Sequence, residues 1–210
     1  MSMLIKNVLA VASKRSEGEV LSPKDFLYLG TRMAIDQTLS RLARQGQLIR
    51  IGRGAYVAPI SSRFGSRPPA VEKTVKALAE KTGEIVVSHG AAAANTLGLT
   101  TQVPVREIFI TSGPSRKLTF ASRIVELKHV PHWQLILSDK PAGMAIRALA
   151  WLGQAHIEAS LAKIHAHFSV KDWQNLVAAR SSLPSWMAES IGKADFRIKK
   201  HGRAIPNSGT

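Results

Sequence analysis

Along residues 1–60 the spacing of apolar positions changes from helical to extended. Leu4, Val8 and Val11 recur at helical spacing and predict a first helix. Ser22-Pro23 pairs a hydroxyl cap with a proline suited to the first helical position, and the short helix it starts is expected to end at Gly30. Thr31 can cap the next helix, in which Ile35, Leu39 and Leu42 recur at i, i+4 and i+7 until Gly46 stops the run. Leu48-Ile49-Arg50-Ile51 and Ala55-Tyr56-Val57 then read as two short strands. Gly52-Arg53-Gly54 joins them, with the glycines expected to supply positive φ.

The pattern loosens over residues 61–69, where Ser, Gly, Arg and two prolines predict a linker. Beyond it, Val71, Val75 and Leu78 mark a helix over 69–81, and 84–88 is β-branched enough for a strand. A short helix at 91–97 and strands at 106–112, 117–120 and 123–130 follow. From Asp139 onward the periodicity is helical, over 142–152, 157–167, 170–179 and 184–191. The predicted class is α+β. A first domain over 1–60, of helices followed by a hairpin, precedes a mixed α/β domain over 70–195 with a helical C-terminal part. A basic tail over 196–210 is expected to be flexible.

Charge turns this outline toward a partner. Lys and Arg number 29 against 14 acids, for a net charge of +15. A field of that sign attracts polyanions, and phosphate contacts release condensed counterions. The first 63 residues carry ten Lys/Arg and four acids: Glu17, Glu19, Asp25 and Asp36. The chain has no cysteine, which excludes disulfides and thiolate metal sites and fits a reducing cytoplasm; the expected location is cytoplasmic, nucleoid-associated for a protein held on a polyanion. Met1–Ala12 is too short and too polar for a signal peptide, and no apolar run is long enough to span a membrane, so no membrane partner is expected.

Helix, turn, helix and hairpin within residues 1–60 is the order of a winged helix-turn-helix, whose second motif helix enters the major groove. With Ile35, Leu39 and Leu42 turned to the core, Met33, Ala34, Gln37, Ser40, Arg41 and Arg44 face outward. Gln37 suits an adenine edge, Arg41 a guanine edge or a phosphate, and Arg44 the backbone. Met33 or Ala34 suits a thymine methyl. Thr31 and Arg32 open the same helix, and Arg50 and Arg53 lie on the hairpin, where an arginine reads minor-groove width and potential. The candidate DNA-contacting set is Thr31, Arg32, Gln37, Ser40, Arg41, Arg44, Arg50 and Arg53. A plain solvated face is the alternative for the helix alone, and a protein-docking winged helix is the alternative for the module.

Catalytic chemistry finds little footing. Glu72, Glu80, Glu84, Glu107, Glu126 and Asp139 are scattered, so no carboxylate pair for magnesium is read. Ser112-Gly113-Pro114-Ser115-Arg116-Lys117 lacks the Gly-Lys-Ser/Thr ending of a phosphate loop and reads as a turn between strands. His165 and His167 do not share a helical face, and no Gly-x-Ser-x-Gly turn accompanies the histidines. No enzyme, cofactor or metal is therefore expected. Trp151, Trp173 and Trp186 read as core, whereas Lys140, Arg147, Lys163, Lys171 and Arg180 read as a basic groove or a solvated face.

The run Thr38-Leu39-Ser40-Arg41-Leu42-Ala43-Arg44-Gln45-Gly46, continuing as Gln47-Leu48-Ile49-Arg50-Ile51-Gly52-Arg53-Gly54-Ala55-Tyr56, resembles the N-terminal winged helix of AbiEi-type antitoxins and related regulators. His89-Gly90-Ala91-Ala92-Ala93-Ala94-Asn95-Thr96-Leu97-Gly98-Leu99, then Ile108-Phe109-Ile110-Thr111, is similar to the segment after the winged helix in those proteins. The resemblance implies a bacterial transcriptional repressor that binds inverted repeats in its own promoter. It also implies the antitoxin role in a phage-defence toxin–antitoxin operon, with a nucleotidyltransferase-like toxin as partner and two copies on the DNA.

Overall fold

The computed structural model describes residues 3–63 and 65–202. The protein is α+β and divides into two compact units. One is Met1–Val86 with Glu107–His129; the other is Val87–Arg106 with Val130–Thr210.

In the first unit, α1 (Met3–Ser13) buries Ile5, Val8 and Ala12. Leu4 and Val11 are only half-buried, so the inward face is rotated by about one residue from the expected one. A 3₁₀ helix (Pro23–Leu29) takes the place of the expected second helix. The Asp25 carboxylate accepts from the Ser22 amide at 2.6 Å and the Ser22 hydroxyl at 3.0 Å, which fixes its start. Next comes α2 (Arg32–Arg44), capped by Thr31, whose hydroxyl accepts from the Ala34 amide at 3.3 Å. Gly46, at φ 71°, ends that helix: its amide donates to the Ala43 carbonyl, and the Gln47 amide reaches the Leu42 carbonyl at 3.0 Å.

Strands β1 (Ile49–Gly52) and β2 (Ala55–Val57) pair antiparallel, with Arg50 opposite Tyr56 and Gly52 opposite Ala55. The turn is therefore Arg53-Gly54. Of the two glycines expected to supply positive φ, Gly54 does (66°) and Gly52 does not. The register shifts between Arg50 and Gly52, which leaves Ile51 as the extra residue of a bulge, fully buried.

The predicted linker is also structured: β3 (Ile60–Ser62) and β4 (Gly65–Arg67) form a second small hairpin. Helix α3 (Val71–Thr82) follows. A four-stranded mixed sheet has the order β5-β6-β8-β7, from β5 (Val86–Ser88), β6 (Glu107–Thr111), β7 (Arg116–Phe120) and β8 (Arg123–His129). β6 runs parallel to β8, and β7 antiparallel to it.

Two cores meet at the β1–β2 hairpin. Tyr56 and Leu21 join Ile5, Val8, Phe26, Ile35, Leu39, Leu42 and Leu48 on one side. Val57, Ile51 and Val20 join Val71, Val75, Leu78, Leu118, Phe120, Val125 and Leu127 on the other. Strand alternation sends neighbouring residues to opposite cores, Leu21 and Tyr56 to one, Val20 and Val57 to the other. This sharing explains why the expected break at 61–69 does not separate the units. β7 and β8 supply the second face of the hairpin, so that stretch belongs with residues 1–86.

The second unit is helical. It contains α4 (Gly90–Thr96), α5 (Pro141–Leu152), α6 (Ile157–His167), α7 (Val170–Ala178) and α8 (Ser185–Gly202). Ala93 and Ala94 pack on Ala148, and a Cβ at Gly90 would lie 2.4 Å from the Arg147 carbonyl oxygen, so α4 and α5 meet nearly backbone to backbone. Ala145, Ile146, Leu149, Leu161, Ile164, Leu176, Met187 and Ile191 form the main core. The tail expected over 196–210 is helical as far as Gly202, and the rest lies outside the described residues. Trp173 is buried and its indole N–H donates to Asp195 at 3.1 Å, whereas Trp151 is exposed. Among the described residues no helix is long and apolar enough to cross a membrane.

Candidate nucleic-acid interface

The site is built on α2 and the β1–β2 turn. Ile35, Leu39 and Leu42 are fully buried, which fixes the rotation of α2 and leaves Met33, Gln37, Arg41 and Arg44 exposed. Ala34 and Ser40 are half-buried. The Ser40 hydroxyl lies 3.4 Å from the Tyr56 hydroxyl and ties α2 to the hairpin. Arg50 and Arg53 are exposed, and Arg50 Nε donates to the Gly52 carbonyl at 3.3 Å, holding its stem along the hairpin.

The eight residues are therefore not equivalent. Gln37, Arg41, Arg44, Arg50 and Arg53 present functional groups to solvent. The Thr31 hydroxyl is used in the helix cap, Arg32 pairs with Asp36 at 2.9 Å, and Ser40 contacts Tyr56.

Electrostatics sharpen the division. Each of the four acids in the first 63 residues is engaged elsewhere. Glu19 pairs with Arg15 and Asp36 with Arg32, while Glu17 holds Arg67 and Lys73, and Asp25 holds Lys81. Among the described residues no carboxylate lies within 4.0 Å of Arg41, Arg44, Arg50 or Arg53. The Lys73 hydrogen bond and the Ala70 amide hold Glu17 below the usual carboxylate range.

Asp25 positions the 3₁₀ helix that precedes α2. Lys81 of α3 donates to Asp25 at 2.5 Å and to the Val20 carbonyl at 2.8 Å, so one ammonium joins three segments. Burial raises the Asp25 pKa, but the hydrogen bonds from Lys81 and the Ser22 amide outweigh it and leave the pKa lowered. A lowered folded-state pKa stabilises the fold above the unfolded value, about 3.9 for aspartate, and that contribution is lost as pH falls through the folded value. Asp25→Asn is expected to cost about 1 kcal/mol at pH 7 and to converge on the wild type in acid, as the Asp25 carboxylate becomes protonated in the folded state. Thermal melts of both proteins across that range check this; a gap that persists in acid contradicts it.

The turn at 112–115 is occupied structurally rather than open to phosphate. A Cβ at Gly113 would sit 2.2 Å from the Glu84 carboxyl carbon. Glu84 accepts from Thr111 at 2.9 Å and from Arg116 at 2.8 Å, and the Ser115 hydroxyl accepts from the His129 amide at 2.8 Å. Among the described residues no group of three or more His, Asp or Glu is placed to hold a metal ion.

One functional candidate differs from its sequence reading. Arg147, read as part of a basic groove or solvated face, is 3% exposed in the middle of α5. Ala142-Gly143-Met144-Ala145-Ile146 before it and Ala148-Leu149 after it make that helix apolar all round, the mark of a buried helix. A lone arginine in such a run was the available signal.

Among curated proteins none matches the chain. A solved structure, the crystal structure of RV2827C protein from Mycobacterium tuberculosis, is similar over 91% of this chain and 78% of that one, at 16% identity and a TM-score of 0.46. A family model described as a family of unknown function, DUF6088, matches residues 6–176. With most of its length matched, from α1 into α7, the chain belongs to the DUF6088 family.

Proposed function

We propose that this protein binds duplex DNA through residues 1–60, acting as a winged helix-turn-helix with α2 in the major groove and Arg53 at the tip of the wing. The observation that carries the reading is the set of four exposed arginines, Arg41, Arg44, Arg50 and Arg53, with no carboxylate within 4.0 Å among the described residues, while the four acids of the first 63 residues are paired elsewhere. Guanidinium groups without an acidic partner, on a helix face and a hairpin tip, suit phosphate and guanine edges. Gln37 on the same face supplies an adenine-reading amide, and Met33, 70% exposed, supplies apolar contact for a thymine methyl.

The narrower role is a transcriptional repressor of its own promoter and the antitoxin of a nucleotidyltransferase-like toxin. It rests on the resemblance of residues 38–56 and 89–111 to AbiEi-type regulators. Two copies on an inverted repeat would place their α2 helices about 34–36 Å apart or a multiple of that.

Anisotropy titration of the full chain at fixed salt, against a duplex from upstream of its own gene and a shuffled duplex, tests both levels. Tighter binding of the upstream duplex by about 10³-fold or more is expected of a specific regulator. Equal binding of both duplexes removes the repressor role. No binding of either removes DNA recognition and leaves the protein-docking alternative. A toxin gene beside this one, neutralised on co-expression, is the matching test of the antitoxin role.

A further inference from the structure

The second unit contains a cationic group buried without the partners such a group needs. Arg147 is 3% exposed, and among the described residues its Nε and Nη1 have no hydrogen-bond partner. Nη2 makes one long contact, 3.5 Å, to the Ser138 carbonyl. A guanidinium has five N–H donors, and buried donors left unpaired are costly, more so when charged. Burial lowers the Arg147 pKa, and the nearby Asp139 charge opposes that only in part.

Arg147 forms part of the wall of a cavity of about 510 Å³, whose lining includes the Ser138 that Nη2 contacts. Lys140 and Asp139 stand at its exposed edge, and Leu97, Pro141 and Met144 give it an apolar lining. Its charged lining is two cations and one carboxylate, a net positive set. No carboxylate lies within 4.0 Å of Arg147 among the described residues.

We propose that this cavity binds a small anionic ligand, a carboxylate or phosphate on a compact apolar body, with the anion on Arg147 and Lys140 and the body against Leu97, Pro141 and Met144. The geometry matches the chemistry. A guanidinium edge pairs bidentately with a carboxylate or phosphate, and small-molecule sites are mostly apolar with a few convergent polar groups. The ligand would satisfy donors that the fold leaves unpaired. This inference does not depend on DNA binding.

The probes are benzoate, phenyl phosphate, inorganic phosphate and, as the neutral control, benzyl alcohol, each titrated into the full chain. The readouts are the Arg147 Nε–H resonance, the Ser138 and Lys140 amides, and the melting temperature. Benzoate or phenyl phosphate is expected to shift those resonances saturably and to raise the melting temperature, while benzyl alcohol does neither. Preference between the two anions distinguishes a carboxylate from a phosphate ligand, and inorganic phosphate alone reports whether the apolar body is needed. Arg147→Met is expected to weaken anion binding about 30-fold or more and, without ligand, to melt no lower than the wild type. Absence of any saturable shift at Arg147 Nε in the folded wild type overturns the proposal, as does an equal response to benzyl alcohol. Undiminished anion binding in Arg147→Met also overturns it. Should that variant fail to fold, the wild-type resonances and Lys140→Met, expected to bind several-fold more weakly, still decide the matter.

Discussion

Replacing Arg41, Arg44, Arg50 and Arg53 together by alanine is expected to lower affinity for duplex DNA by about 10²- to 10³-fold near 0.15 M salt. It should also flatten the dependence of log K on log salt by about 3 to 4, since each phosphate contact contributes roughly 0.9 to that slope. The fold should hardly notice, because all four side chains are exposed and none is in an ion pair with a described residue, and each such change usually alters stability by no more than about 0.5 kcal/mol. The informative control removes equal charge elsewhere: Lys6, Lys14, Lys76 and Lys163, all exposed. Anisotropy titrations at several salt concentrations separate the two. A control that loses as much as the arginine variant would reduce binding to bulk charge and remove the assignment to α2 and the hairpin.

The second large effect lies in the helical unit. Gly143→Ala is expected to destabilise it by about 3 kcal/mol. Inside a helix, glycine to alanine ordinarily stabilises by about 1 kcal/mol, so the sign is the test. Here a Cβ would lie 2.0 Å from the Leu137 carbonyl oxygen and 2.8 Å from that of Ile136. These are backbone atoms that cannot rotate away. Leu137 itself sits at φ 53°, so the turn entering α5 is already held in an unusual conformation and has little freedom to retreat. Urea melts followed by circular dichroism measure the change, and a variant as stable as the wild type would show that the turn can move.

Where partners are local, the residues announced the structure. Ile35, Leu39 and Leu42 place α2 and expose Met33, Gln37, Arg41 and Arg44, because helical spacing decides both, whereas Ala34 and Ser40, on the same expected face, are half-buried. The hairpin was legible from its glycines and alternating apolar residues. The division into units was not, because Leu118 and Phe120 pack with Val20, Ile51 and Val57, far away in sequence, and periodicity carries no information about such pairings. Residues 61–69 have the composition of a linker, yet within that stretch and its edge Ile60–Ser62 pairs with Gly65–Arg67.

The helix that became α8 was expected to stop at residue 191. It continues to Gly202 instead, and Asp195 turns inward, accepting from the Trp173 indole and from Lys199. Within the candidate site, the residues were visible in sequence but their availability was not. Only the folded chain reveals that Thr31, Arg32 and Ser40 have internal partners while the other arginines lack an acidic one.

The β1–β2 hairpin is gripped on both faces, by Tyr56 and Leu21 toward one core and by Ile51 and Val57 toward the other. A hairpin held on a single face would keep a wandering tip and surrender that freedom on meeting a ligand. Here the chain entropy of the Arg53-Gly54 turn is given up during folding, so less remains to be lost on binding. Loosening the far core, at Phe120 for example, would then act at a distance. It would shorten the lifetime of a complex at the tip without touching any residue in contact with the partner.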